Sequence, residues 1–161
     1  MRMLVCGDTH GDRRALEMLL EAFSTHSPDV FAHTGDHYRD YLWLQQQTGV
    51  SGYGVPGNCD YGVMEDDELL FELEGLQFWL VHGHQHRAKR GPERLAKVAK
   101  KKKVDVVLFG HSHTAVIEKR DNLLLLNPGS LYWPRGGSVP SYALVTLSQG
   151  SAQAEIITPG Q

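Results

Sequence analysis

Apolar residues fall in short runs that stop at glycine and polar residues. Met3-Leu4-Val5-Cys6 has the length and burial signature of a strand ending at Gly7. Leu16, Leu19, Leu20 and Phe23 recur at helical spacing and predict a helix over Arg13–Phe23, with Asp12 as its N-cap. A strand over Asp29–His33, a helix over Tyr38–Gln47 closed by Gly49, and a strand over Gly52–Val55 follow. Leu69–Leu73 and Leu76–His82 form a hairpin pattern around Glu74-Gly75. Gly91-Pro92 opens a helix to about Lys103 with Leu95, Val98 and Ala99 on its inner stripe. Asp105–Phe109 is a strongly apolar strand. Thr114–Lys119, Leu123–Leu126, Tyr142–Leu147 and Ala152–Thr158 are then strands with no helix between them. Alternating strands and helices followed by consecutive strands predict an α/β fold of two packed sheets with helices outside.

Length and composition leave that picture intact. A chain of 161 residues with 41% hydrophobic and 22% charged residues predicts one ordinary globular domain over residues 1–161, able to build a core without disulfides. Two cysteines cannot make a disulfide framework, so a reducing compartment is expected. Arg2 is followed by only four apolar or small residues before Gly7 and Asp8, which is no secretory signal, and the longest apolar run, Leu123–Leu126, is far below membrane-spanning length. A cytoplasmic protein without a membrane partner is the expectation. The formal charge of −3 gives no general reason for nucleic-acid binding. Locally, however, nine basic residues lie between Arg87 and Lys103. They are read as a solvated helix face with lysines at its C-terminal end rather than as a nucleic-acid surface, since no aromatic residues interleave them.

The chemistry concentrates where strands stop. Asp8 and His10, Asp36, Asn58 with Cys59 and Asp60, His82 with His84, and His111 with His113 all lie at or just past strand ends, and each cluster touches a glycine. Ligands in open α/β sheets bind outside the carboxyl ends of strands, so these clusters are expected to meet at one edge. Asp8/His10 and His111/His113 are i, i+2 pairs, and on extended backbone both members of such a pair point to one side. Two pairs plus Asp36, Asn58 and His82 supply seven O and N donors, too many for one tetrahedral zinc but suited to two divalent ions sharing a carboxylate. Imidazole, carboxylate and amide donors accept Mn, Fe, Zn, Co or Ni.

In this order the motifs resemble those of the calcineurin-like metallophosphoesterases. Gly7-Asp8-Thr9-His10-Gly11 is similar to their first motif and Gly35-Asp36 to the second. Gly57-Asn58-Cys59-Asp60 stands where many members have Gly-Asn-His-Asp/Glu. His82-Gly83-His84, Gly110-His111-Ser112-His113 and Asn127-Pro128-Gly129-Ser130 complete the set. The last motif and Cys59 resemble the small bacterial and archaeal YfcE-like phosphodiesterase branch. The resemblance implies a four-layer α/β/β/α sandwich of two mixed sheets with a dinuclear metal centre. Asp8, His10, Asp36 and His113 would bind one metal, and Asp36, Asn58, His82 and His111 the other, with Mn²⁺ expected. It further implies hydrolysis of a small phosphodiester by a dinuclear metal-bound hydroxide attacking phosphorus in line. Asp36, Asn58 and His84 would be the catalytic groups, and Arg135, Asn58 and His84 would contact substrate. Cys59 replaces a histidine held to protonate the leaving oxygen, which predicts better activity on activated diesters than on alkyl monoesters. Asp60 and Asn127 are expected to support the loops. The rival readings are a non-catalytic scaffold on the same fold, and a nuclease or phosphomonoesterase with the same centre. Neither the substrate nor the oligomeric state, a dimer included, is encoded in any motif.

Overall fold

Successive residues of a strand face opposite sides of its sheet, and in β1 (Arg2–Cys6) that alternation divides the side chains between two cores. Met3 and Val5 join a cluster with Phe78, Leu80, Val106, Leu108, Leu124, Leu126, Ala143 and Val145. Leu4 and Cys6 face the other way, toward Ala15, Leu19 and Phe23 of α1 (Arg13–His26) and Tyr41 and Leu44 of α2 (Tyr38–Thr48). The structure, a computed structural model, describes residues 1–160.

β1 pairs in parallel with β2 (Val30–His33), and β2 with β3 (Gly52–Gly54). The second sheet is built on β4 (Glu68–Leu73), β5 (Leu76–Val81), β6 (Val106–Phe109), β7 (Ala115–Arg120) and β8 (Leu123–Pro128) in the order β4-β5-β6-β8-β7. The chain then returns to the first sheet, where β9 (Tyr142–Ser148) and β10 (Ser151–Ile157) complete the order β10-β9-β1-β2-β3. Each sheet mixes parallel and antiparallel pairs. A third cluster packs Leu95 and Ala99 of α3 (Glu93–Lys102) against Trp79, Val107, Phe109 and Leu125 on the outer face of the second sheet. Three apolar layers between four layers of structure make the expected α/β/β/α sandwich of two mixed sheets.

The Asp12 carboxylate caps α1 by accepting from Ala15 N (2.8 Å), as the sequence predicts. The helix runs three residues past Phe23 and stops at Ser27, which adopts φ 45°. Two short 3₁₀ turns, His84–His86 and Ala88–Arg90, separate β5 from α3 and carry no periodicity that would predict them. The basic stretch becomes those turns and the outer face of α3. Lys102 Nζ pairs with Glu68 Oε1 at 2.7 Å beside the Trp79 ring, and Lys100 and Lys101 sit in the last turn, where the helix dipole favours cations. No helix among the described residues is long and apolar enough to cross a membrane.

Candidate metal centre

The carboxyl ends of β1, β2, β3, β5 and β6 open onto one edge, and the polar clusters meet there. Cross-links between loops fix the edge: Asp8 N donates to Gly35 O (2.9 Å), Thr34 N to Cys6 O (2.8 Å) and Gly110 N to His82 O (3.1 Å). His111 N donates to Asp8 Oδ2 (2.9 Å) and Ser130 Oγ to Asp8 O (2.9 Å), which joins the loops of the two sheets. Single ligand atoms of Asp8, His10, Asp36 and His113 lie within 4.8 Å of one another, as do those of Asp36, His82 and His111. Asp36 is common to both groups. Asn58 Oδ1 lies 3.2 Å from His82 Nε2, on the second group. All seven residues singled out by their positions in the sequence thus converge.

They do so by a different backbone route from the one the spacing implies. Neither i, i+2 pair is extended: Asp8, His10, His111 and His113 adopt φ 51°, 50°, 67° and 56°. The strands end at Cys6 and Phe109, before the pairs begin, so the chain is free to curl. Asp36 is also left-handed, at φ 56°. The left-handed region costs a non-glycine residue roughly 1–2 kcal/mol, and such strain gathers at functional sites.

The hydrogen bonds determine which histidine nitrogen faces the centre. His82 Nδ1 donates to Thr34 O (2.8 Å) and His113 Nδ1 donates to Trp133 O (2.8 Å). A carbonyl can only accept, so each ring carries its proton on Nδ1, and each neutral ring presents a bare Nε2. His82 Nε2 faces Asp36 Oδ1 at 3.4 Å, and His113 Nε2 faces Asp8 Oδ1 at 3.4 Å and His10 Nε2 at 3.3 Å. Asp8 is fully buried, yet its Oδ1 has no hydrogen-bond partner. Lone pairs converging in a buried space without protons between them are what a cation satisfies. The donor set fits divalent metal ions.

Ionisation follows from the same crowding. In the metal-free protein burial opposes charge on His82, but the hydrogen bond that a protonated Nε2 would give Asp36 outweighs it and raises the pKa; His113 is raised likewise by the bond its protonated form would give Asp8. Burial would raise Asp36, yet His82 and the Cys59 amide hold its carboxyl well below the usual range. His111 is pushed down to about 4, first by burial and then by the charges of His82 and Lys89. Burial also lowers His10.

The remaining candidates sit around this centre. The His84 ring lies 5.4 Å from His82 and 6.1 Å from His111, centroid to centroid, with its pKa lowered by burial and by His82. Arg135 is exposed, stacks 4.3 Å over the Trp133 ring, and its N–H donates to His113 O (2.9 Å). The Cys59 thiol is exposed, and burial of its surroundings together with Asp36 pushes its pKa up to about 11. Asp60 supports its loop as expected, accepting from Gly57 N, His37 N and Tyr38 N. Asn127 donates to Gly110 O (2.9 Å) and accepts from Gly129 N (2.9 Å).

Two features were missed in the sequence. Lys89 lies in a 3₁₀ turn that no pattern announces, and its charge reaches His111. Beneath the first motif lies a buried network: Thr9 Oγ1 donates to Asp40 Oδ2 (2.6 Å) and, as acceptor, lies 3.1 Å from His33 Nε2, while Asp40 also accepts from Gly11 N and His37 Nδ1. An acidic residue in the first turn of a helix is all the sequence shows of it, and that is ordinary helix chemistry.

Comparison with known proteins places these observations in a family. Residues 1–150 match the model of the calcineurin-like phosphoesterase superfamily domain. A protein of Mycoplasma pneumoniae named "probable metallophosphoesterase" is 39% identical over 153 residues, covering 92% of this chain and 91% of its own. Phosphodiesterase YfcE of Escherichia coli is 28% identical over 170 residues, covering 90% and 87%. A crystal structure of a predicted phosphoesterase from Streptococcus pneumoniae superposes with TM-score 0.81 at 25% identity, over 99% of this chain and 93% of that one. With its motifs in family order, its double-sheet sandwich and this match over most of its length, the chain belongs to the calcineurin-like phosphoesterase superfamily.

Proposed function

We propose that this chain is a metal-dependent phosphoesterase that hydrolyses small phosphodiesters in preference to monoesters, with in-line attack at a pair of divalent ions. The observation that carries the reading is Asp36: one buried carboxylate with Oδ1 3.4 Å from His82 Nε2 and Oδ2 3.6 Å from His10 Nε2, one oxygen toward each ligand group. Asp8, His10, Asp36 and His113 would hold one ion, and Asp36, Asn58, His82 and His111 the other. Mn²⁺ is the proposed metal, with Fe, Zn, Co and Ni compatible with the same N and O donors. When bound, such a pair supplies Lewis acidity and a water of lowered pKa.

The chain's own residues do the rest. Thr34 O and Trp133 O fix the tautomers of His82 and His113, so Nε2 is the free nitrogen of each neutral ring. Arg135, whose charge reaches His113, and Lys89, whose charge reaches His111, would neutralise phosphoryl oxygens. His84, at the rim of the second group, would contact a substrate oxygen. Cys59 offers the leaving oxygen only a weak thiol donor, which disfavours substrates whose leaving group needs a proton and underlies the preference for activated diesters.

An assay panel with Mn²⁺ tests this: bis- and mono-p-nitrophenyl phosphate and 2′,3′- and 3′,5′-cyclic nucleotides, with Asp36→Asn as control. The bis ester should be turned over faster than the mono ester, and Asp36→Asn should be inactive. Faster turnover of the mono ester than of the bis ester, or an active Asp36→Asn protein, would refute it.

A further inference from the structure

The loop after β8 places two aromatic rings beside the metal centre and leaves both half open. Tyr132 and Trp133 are 48% and 56% exposed, a costly way to carry large apolar rings unless something covers them. The Tyr132 ring lies 5.9 Å from His10, and the Trp133 ring 6.3 Å from His113, centroid to centroid. Both histidines belong to the same ligand group, so the rings flank one half of the centre rather than the surface at large. They meet each other at 72° with centroids 6.4 Å apart, making a corner.

The corner is held in place. Ser130 Oγ accepts from Tyr132 N (3.2 Å) and Trp133 N (3.0 Å) and donates to Asp8 O (2.9 Å), so the backbone under both rings is tied to a candidate ligand. Trp133 O is the acceptor of His113 Nδ1. One face of Trp133 carries the Arg135 guanidinium at 4.3 Å, which sets an anion-binding fork next to the aromatic surface. Aromatic faces with an arginine beside them bind nucleobases without regard to base identity, because every base has a π-face.

We infer that the Tyr132–Trp133–Arg135 corner is a stacking subsite for the base of a nucleoside phosphodiester, whose phosphorus lies at the metal centre. The inference rests on the phosphoesterase reading above and narrows it to diesters with one nucleoside arm. Stacking on the corner contributes to binding whichever ester bond is cleaved, so it acts on KM more than on kcat.

The test compares p-nitrophenyl thymidine phosphate with p-nitrophenyl methyl phosphate, which share a leaving group and differ in the retained arm. The wild-type enzyme should prefer the thymidine ester by about tenfold in kcat/KM, carried by KM, within the range expected for stacking one base. Tyr132→Ala and Trp133→Leu should each reduce that preference toward one; Trp133→Leu keeps the backbone carbonyl that holds His113. Equal kcat/KM for the two esters in the wild type, or a preference that survives both substitutions, would overturn the inference. A second readout needs no turnover: thymidine monophosphate should quench the tryptophan fluorescence of the Zn²⁺-loaded protein, and Trp133→Leu should abolish the quench. Failure of the phosphoesterase reading shows as no hydrolysis of either ester, and the quench then decides alone. An absent quench would overturn the inference, and sedimentation showing a dimer that dissociates in Trp133→Leu would assign the corner to a protein interface instead.

Discussion

Gly57→Ala is a small substitution with a large expected effect, because Gly57 has no backbone need for glycine. A Cβ added there would lie 2.2 Å from Asp36 Oδ1 and 2.4 Å from Asp36 N, where ordinary contact begins at 3.4 Å. The two loops must therefore separate by about 1.2 Å, and the clash is partly with backbone, so no rotamer change relieves it. Overpacking of this kind costs about 1–3 kcal/mol of stability. The larger effect falls on Asp36, the carboxylate shared by both ligand groups: a displacement near 1 Å costs on the order of 100-fold in activity. The assay is bis-p-nitrophenyl phosphate turnover with Mn²⁺, beside metal content by mass spectrometry and a melting curve. The variant should fold, melt a few degrees lower, and lose about 100-fold in turnover or in metal affinity. A folded Gly57→Ala protein with full metal content and wild-type turnover would refute the claim that this close approach positions Asp36.

Three further outcomes follow from the same structure. The metal-free protein should be most stable near pH 6.5. His33 and His111, each pushed down to about 4 chiefly by burial, are neutral when folded and protonated when unfolded, so stability falls as pH drops from about 6.5 toward 4. His82 and His113 are raised, so their contribution is present below about 6.5 and lost as pH rises through their folded values. Melting temperatures in EDTA from pH 4 to 9 should trace that maximum; a monotonic curve would contradict it. Cys59→His should raise monoester turnover relative to diester turnover by about tenfold or more, since a positioned general acid contributes 10²–10⁴-fold; an unchanged ratio in steady-state kinetics would remove Cys59 from the specificity argument. Asn127→Ala strands the buried Gly129 N and removes one of the two donors to Gly110 O, which keeps Ser112 N; it should cost about 1–3 kcal/mol, read as a fall of several degrees in melting temperature, while a shift under one degree would count against it.

Much of the fold was legible because the strands are short, apolar and stopped by glycine: Met3–Cys6 before Gly7 and Val106–Phe109 before Gly110 declare their own ends. Strand order was not legible, since nothing in the sequence states that β8 inserts between β6 and β7, or that the chain leaves the second sheet after β8 so that β9 pairs with β1. The candidate ligands were legible as residue types at strand ends. Their conformation was not: i, i+2 spacing points to extended backbone, and only the cross-links of His111 N to Asp8 Oδ2 and Asp8 N to Gly35 O reveal the left-handed curl. Lys89 and the Thr9–Asp40–His33 network depend on contacts between segments more than 20 residues apart, for which one sequence carries no pattern.

The central claim is that seven side chains hold two divalent ions that hydrolyse phosphodiesters. It is tested most directly by counting metal in the purified protein while following bis-p-nitrophenyl phosphate hydrolysis during titration of the EDTA-stripped protein with Mn²⁺. Activity should appear and saturate at two ions per chain, and Asp36→Asn should neither retain two ions nor turn over substrate. A well-folded protein that saturates at fewer than two ions, or hydrolyses the ester as fast after stripping, would contradict the account.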